Sequence, residues 1–215
     1  MIVNNKIGIT LSGGGFRGIA HLGVLQCMEE LGISFDAISG ASAGALIGAF
    51  IAEGYSPAEI FKFAKTEKFF NYTDLFRGNG GMFSPDIFER IITKYIPHNS
   101  FEQLKVPLYV SVTDLSNARS LVFNQGCLSL AIKSSCCFPM VFVPVNYHND
   151  TILCDGGILN NFPVEHINAT CGKSVGVDVN SIEIARGHMG YGEIMDRIIR
   201  IITSKIDKEL SLIHI

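Results

Sequence analysis

Residues 7–54 read IGITLSGGGFRGIAHLGVLQCMEELGISFDAISGASAGALIGAFIAEG, and this stretch decides the fold. Two short apolar runs each end in a glycine-marked turn and lead at once into residues with helical spacing. In the first unit Ile7 to Leu11 is the strand and Ser12-Gly13-Gly14-Gly15 the turn. Ile19, Leu22, Gly23, Leu25 and Met28 then recur along a helix that closes at Leu31-Gly32. In the second, Phe35 to Ser39 is the strand, Gly40 to Gly44 the turn, and Ala45 to Ile51 an apolar helix ending at Gly54.

Beyond this core, Ser56-Pro57-Ala58-Glu59 and Ser84-Pro85-Asp86 place a serine cap before a first-turn proline and predict helices over 56–66 and 84–96. The segment between them, FFNYTDLFRGNGGMF at 69–83, reads either as a core-packed loop or as a lid. As a lid it would bring Phe69, Phe70, Phe76 and Phe83 to lipid tails. Strands are predicted at Val106–Thr113, Arg119–Phe123, Val141–Val145, Thr151–Cys154 and Ser174–Val179, with a helix over Leu128–Cys137. Strands alternating with helices give an α/β fold with a mainly parallel central sheet flanked by helices.

The domain is expected over 6–185, followed in 186–215 by an amphipathic helix packed on it. That helix places Met195, Ile198, Ile199, Ile202 and Ile206 on one face, and Arg197, Arg200, Lys205 and Lys208 largely on the other. A helix lying on a membrane surface would share the pattern.

Composition narrows the function classes. Of 215 residues 47% are hydrophobic and 17% charged, which suits a buried sheet rather than a disordered chain. With a net charge of -3 and no basic run, nucleic-acid binding is not expected. The six cysteines show no CxxC spacing, and several stand in apolar runs as small hydrophobes. The first residues carry no secretory h-region, and no run of eighteen apolar residues exists to span a membrane. The expected location is cytoplasmic, with peripheral attachment to membranes compatible; export by a route that needs no signal would also fit.

The chemistry concentrates at three places. Gly40-Ala41-Ser42-Ala43-Gly44 has GxSxG spacing between a strand and a helix, which suits a sharp turn that holds the Ser42 hydroxyl clear of its neighbours. Gly13, Gly14 and Gly15 offer three successive N–H groups at the mouth of a helix, the arrangement an oxyanion hole needs. Arg17 either fixes that loop or adds positive charge beside it. Asp155, in Cys154-Asp155-Gly156-Gly157, ends an apolar strand where two glycines permit a sharp turn.

A carboxylate is a weak base for serine unless desolvated and well placed, whereas a Ser/His/Asp triad interposes an imidazole. His166, His188 and His214 follow Asp155, but none stands in a glycine turn or at a strand end. The glycines also fit a dinucleotide fingerprint, Gly13-x-Gly15-x-x-Gly18 with Asp36 downstream, though that reading leaves GASAG and Asp155 without a role.

Taken together, GGGFRG at 13–18, GASAG at 40–44 and DGG at 155–157 resemble the patatin-like phospholipase family. SSCCFPMVFVPV at 134–145 and Asn161-Phe162-Pro163 extend the likeness over about residues 6–180. The resemblance implies a three-layer α/β/α fold and a Ser/Asp dyad in which Ser42 is the nucleophile and Asp155 the base, with no catalytic histidine. It further implies an oxyanion hole at Gly13, Gly14 and Gly15, with Arg17, Gly40, Gly44, Gly156 and Gly157 supporting the site. The implied reaction is hydrolysis of fatty-acyl esters through an acyl-enzyme, on a phospholipid or other acyl lipid at a membrane surface, with no metal or other cofactor. Cys136 and Cys137 occupy positions where the family has alanine-like side chains.

Overall fold

The computed structural model describes residues 5–67, 81–148 and 150–180, together with 184, 188–190, 193–194, 197–198 and 201. Both strand-turn-helix units form. Strand β1 (Ile7–Leu11) leads through a 3-10 turn over Gly15–Ile19 into helix α1 (Ala20–Glu30). Strand β2 (Ala37–Ala41) turns at Ser42 directly into helix α2 (Ala43–Glu53), which stops at Gly54 in the left-handed region, φ 101°.

Helix α3 (Pro57–Thr66) opens on a reciprocal cap: the Ser56 hydroxyl accepts from the Glu59 N–H and the Glu59 carboxylate accepts from the Ser56 N–H. Further along lie β3 (Gly81–Phe83), α4 (Asp86–Tyr95), β4 (Leu108–Asp114), β5 (Arg119–Phe123) and α5 (Leu128–Ser135). They are followed by β6 (Met140–Phe142), β7 (Val145–Tyr147), β8 (Thr151–Asp155), α6 (Val164–Thr170) and β9 (Lys173–Val177).

The central sheet runs β7-β8-β4-β2-β1-β9, with β5 also paired to β4. Strands β9, β1, β2 and β4 are mutually parallel, while β5, β8 and β7 add antiparallel pairs. Successive side chains leave a strand on opposite faces, and the two faces are covered by different helices. Ile9, Leu11, Ile38, Leu108, Val110 and Val112 are all but fully buried in a core shared with α2, α4 and α5. Ala37 and Tyr109, on the other face, pack against Ile167 and Cys171 of the α6 region. Helices therefore flank the sheet on both sides. Each fully buried Ile, Leu or Val side chain in that core contributes roughly 1.5–3 kcal/mol.

Several expectations shift. The segment Val141–Val145 is not one strand: β6 pairs with β3, and β7 turns to β8. Pro144 lies between the two and carries no N–H for a ladder bond. Helix α6 was not foreseen, although Pro163 at its cap and Val164 and Ile167, one turn apart and buried, form a short helical signal.

Of the lid segment 69–83, only Gly81–Phe83 is described, as β3; Phe69, Phe70 and Phe76 lie outside the described residues. In the expected closing helix, residues 193, 194, 197, 198 and 201 are helical and the remainder lies outside the described residues. Among the described residues no helix is long and apolar enough to cross a membrane.

Candidate active site

Strand β4 has two edges, and its pairing explains the site. One edge takes β5 over Val110–Asp114. The other is shared: β2 runs along it in parallel as far as Ala41 opposite Ser111, and β8 arrives antiparallel with Asp155 opposite Val112. The carboxyl ends of β2 and β8 thus meet head-on at neighbouring positions of β4. Ser42 is the first residue beyond one end, and Asp155 is the last residue of the other.

Their side chains touch. The Ser42 hydroxyl donates to Asp155 Oδ2 at 2.7 Å, and the second carboxylate oxygen accepts from the Gly157 N–H at 2.7 Å. Asp155 is 2% exposed, and burial raises its carboxyl from 3.8 to about 6 against the opposing pull of those two hydrogen bonds. Ser42 is part-buried with φ 50° and ψ −122°, a backbone state that costs a non-glycine residue on the order of 1–3 kcal/mol. Helix α2 starts immediately after it, so the strained residue presents its hydroxyl at a strand-to-helix corner.

The flanking glycines are required by close approach. A Cβ on Gly44 would collide with the Leu11 carbonyl oxygen, and one on Gly40 would stand 2.6 Å from the Gly44 carbonyl carbon. A Cβ on Gly156 would collide with the Ser111 carbonyl oxygen, and one on Gly157 would lie 2.7 Å from the Asn161 carboxamide oxygen.

The glycine loop comes to the same place: a Cβ on Gly13 would sit 3.2 Å from Ser42 Cβ. The Gly13 N–H, one of the three expected oxyanion donors, is committed to the Asn161 carbonyl at 3.1 Å. Among the described residues, the N–H groups of Gly14 and Gly15 have no acceptor. The loop is held from behind by residues that sequence reasoning missed. Asn180 Nδ2 bonds the Gly13 carbonyl at 2.5 Å and the Ser12 hydroxyl at 3.3 Å.

His21 Nε2 lies 2.8 Å from the Ser12 carbonyl, which can only accept, so this nitrogen carries the hydrogen. Burial lowers the His21 pKa, which favours the neutral ring. Arg17 is exposed in the 3-10 turn, and its N–H donates to the Gly14 carbonyl at 3.1 Å.

The competing readings separate on position. Asp36 accepts from the Ile7 N–H at 2.8 Å, at the start of β1 and the far end from the glycine loop, where it cannot meet a ribose held by that loop. His166 stacks on Tyr109 with ring centroids 5.4 Å apart, on the sheet face covered by α6. His188 is exposed, and His214 lies outside the described residues. Among the described residues no histidine bonds to Ser42 or Asp155, and no group of three or more His, Cys, Asp or Glu is gathered to hold a metal ion.

The model of the family described as patatin-like phospholipase matches residues 9–167. The chain is 30% identical over 202 residues to Lysophospholipase NTE1 of Meyerozyma guilliermondii, covering 91% of this chain and 14% of that protein. It is also 30% identical over 189 residues to Patatin-like phospholipase domain-containing protein 6 of Homo sapiens, covering 84% of this chain and 14% of that one. The chain thus spans about one seventh of the length of these relatives. Among solved structures, VipD from Legionella pneumophila shares the fold at a TM-score of 0.56 and 17% identity, covering 75% of this chain and 47% of that one.

Proposed function

The chain belongs to the patatin-like phospholipase family, and on that premise we propose that it is a lipid acyl hydrolase acting on lysophospholipids or phospholipids through a Ser42–Asp155 dyad. The observation that carries this reading is the 2.7 Å hydrogen bond from the Ser42 hydroxyl to a buried carboxylate.

Ser42 Oγ attacks the ester carbonyl carbon as its proton passes to Asp155 Oδ2. A carboxyl raised to about 6 is a better proton acceptor than an ordinary aspartate and is still mostly ionised near pH 7. The carbonyl oxygen takes up the negative charge and is met by the Gly14 and Gly15 N–H groups, Gly13 serving to anchor the loop. Collapse returns the proton from Asp155 to the departing glycerol oxygen and leaves the acyl group on Ser42. A water molecule deprotonated by Asp155 then attacks the acyl-enzyme, and as the bond to Ser42 Oγ breaks Asp155 returns the proton to that oxygen and the fatty acid leaves.

The acyl-lipid class is supported by apolar side chains beside the loop: Phe16, next to Gly15, is 76% exposed, and Ile19 is 48% exposed. Such a surface suits a peripheral encounter with lipid.

The test is labelling with a fluorophosphonate probe together with product analysis on lysophosphatidylcholine. Wild type is expected to label on Ser42 and to release free fatty acid, and Ser42→Ala to do neither. Equal labelling of the two proteins would overturn the nucleophile assignment.

A further inference from the structure

In the parallel β2–β4 ladder, alternate residues of β2 give their N–H to the β4 residue that precedes their partner. Ile38, opposite Leu108, donates to the Pro107 carbonyl at 2.9 Å. Two steps further is Gly40, and after another two, Ser42, whose N–H would be due at the Ser111 carbonyl.

That bond is not made. The Ser42 N–H donates to the Ser135 hydroxyl at 2.8 Å, and the Ser135 hydroxyl donates to the Ser111 carbonyl at 2.7 Å. One fully buried side-chain hydroxyl, from the last residue of α5, is inserted into the ladder at the rung where β2 should continue.

The two residues after Ser135 reach the same pair. Cys136 Sγ donates to the Ser42 carbonyl at 3.3 Å, and the Cys137 carbonyl accepts the Asp155 N–H at 3.0 Å. Three consecutive residues therefore hold the Ser42 N–H, the Ser42 carbonyl and the Asp155 N–H.

We infer that Ser135 is a positioning residue of the Ser42–Asp155 pair, its hydroxyl holding β2 off the next rung of β4 so that Ser42 stays in its turn facing Asp155. The inference rests on the proposed role of Ser42 as nucleophile. The physical need is evident from the backbone: Ser42 keeps φ at 50°, whereas a residue drawn into the ladder adopts a negative φ. The inserted hydroxyl also satisfies both a donor and an acceptor that would otherwise be buried unpaired where the strands part.

The test uses the full chain and a soluble short-chain p-nitrophenyl ester, with the rate of Ser42 modification by a fluorophosphonate as a second readout. For Ser135→Ala, kcat and the modification rate are expected to fall together by about tenfold or more while KM stays within about twofold. Ser135→Thr, which keeps the hydroxyl, is expected to recover most of that loss. Ser134→Ala provides the packing control: Ser134 is fully buried, and its hydroxyl has no partner among the described residues. Its modification rate should equal that of wild type.

A folded Ser135→Ala protein that is modified at the wild-type rate overturns the inference. If Ser135→Ala does not fold, Ser135→Cys is judged by the same rates, since its thiol is a weak donor and acceptor. A fall of about tenfold or more then supports the role, and wild-type rates overturn it. Ser42→Ala keeps the two questions apart: if it is modified as fast as wild type, the nucleophile assignment fails. If it is silent while Ser135→Ala reacts normally, only the role of Ser135 fails.

Discussion

The Ser42 hydroxyl and the Asp155 carboxylate are bonded directly at 2.7 Å, with no ring between them, and the other carboxylate oxygen is occupied by the Gly157 N–H. One oxygen thus holds the turn after β8, and the other faces the Ser42 hydroxyl. The carboxylate is buried, and the fold holds it at about 6 instead of 3.8, so its charge is disfavoured where it stands.

Asp155→Asn keeps an acceptor for Gly157 and removes the proposed base. Turnover is expected to fall at least about 1000-fold. The sign for stability is opposite. Ionising Asp155 inside the fold at pH 7 costs on the order of 3 kcal/mol relative to an unfolded aspartate, by the shift from 3.8 to about 6. The variant should therefore melt at or above the wild-type temperature, measured by differential scanning calorimetry at pH 7.5.

Activity should follow the ionised fraction of Asp155, with an acid limb in kcat/KM near pH 6 and about a tenfold loss at pH 5. Stability runs the other way. Because the folded value lies above the unfolded one, the contribution of Asp155 is complete below 3.8 and is lost as pH rises through about 6. Melting temperatures of wild type and Asp155→Asn should accordingly draw together as pH falls from 7 to 4. A constant difference across that range would sink the assignment.

Gly44→Ala drives a methyl into the Leu11 carbonyl oxygen, and the protein should lose several kcal/mol or fail to fold. Gly23, inside α1, has nothing within 4 Å of the position a Cβ would take. Gly23→Ala should raise stability by roughly 0.5–1 kcal/mol with activity unchanged, since it removes backbone freedom from the unfolded chain at a helical site. Urea unfolding of both variants tests the contrast.

His166→Ala should retain activity within about twofold and alter the packing on Tyr109 and the contact with Glu165, because the ring lies on the sheet face covered by α6. Steady-state hydrolysis of a soluble ester tests this, and a loss as deep as that of Ser42→Ala would restore a triad.

The candidate site was readable in the sequence where local geometry constrains residue type. Ser42 needs a glycine two residues to either side because a helix begins one residue after a strand ends, and Asp155 is marked by the glycines that let the chain turn back onto Ser111. Ser135 and Asn180 were not readable, since their hydroxyl and carboxamide meet partners 93 and 167 positions away and nothing nearby distinguishes them from other polar residues. The same applies to the Gly13 N–H, whose acceptor is the carbonyl of the sequence-distant Asn161. Strand pattern proved legible for β1, β2 and β5, whereas β6 and β7 share one apolar run whose halves take different partners.

Ser111 and Val112 act as adjacent marks on a caliper, one set to Ala41 and the other to Asp155. A strand advances about 3.3 Å per residue, so one residue inserted between them would open the jaws by a full step and reverse the face on which everything beyond it emerges. No side-chain rotation at Ser42 or Asp155 spans such a gap. Lengthening is tolerable in the turns of this chain but not at that point on β4, and moving the Ser42–Asp155 pair to another scaffold would mean moving three strands, not two residues.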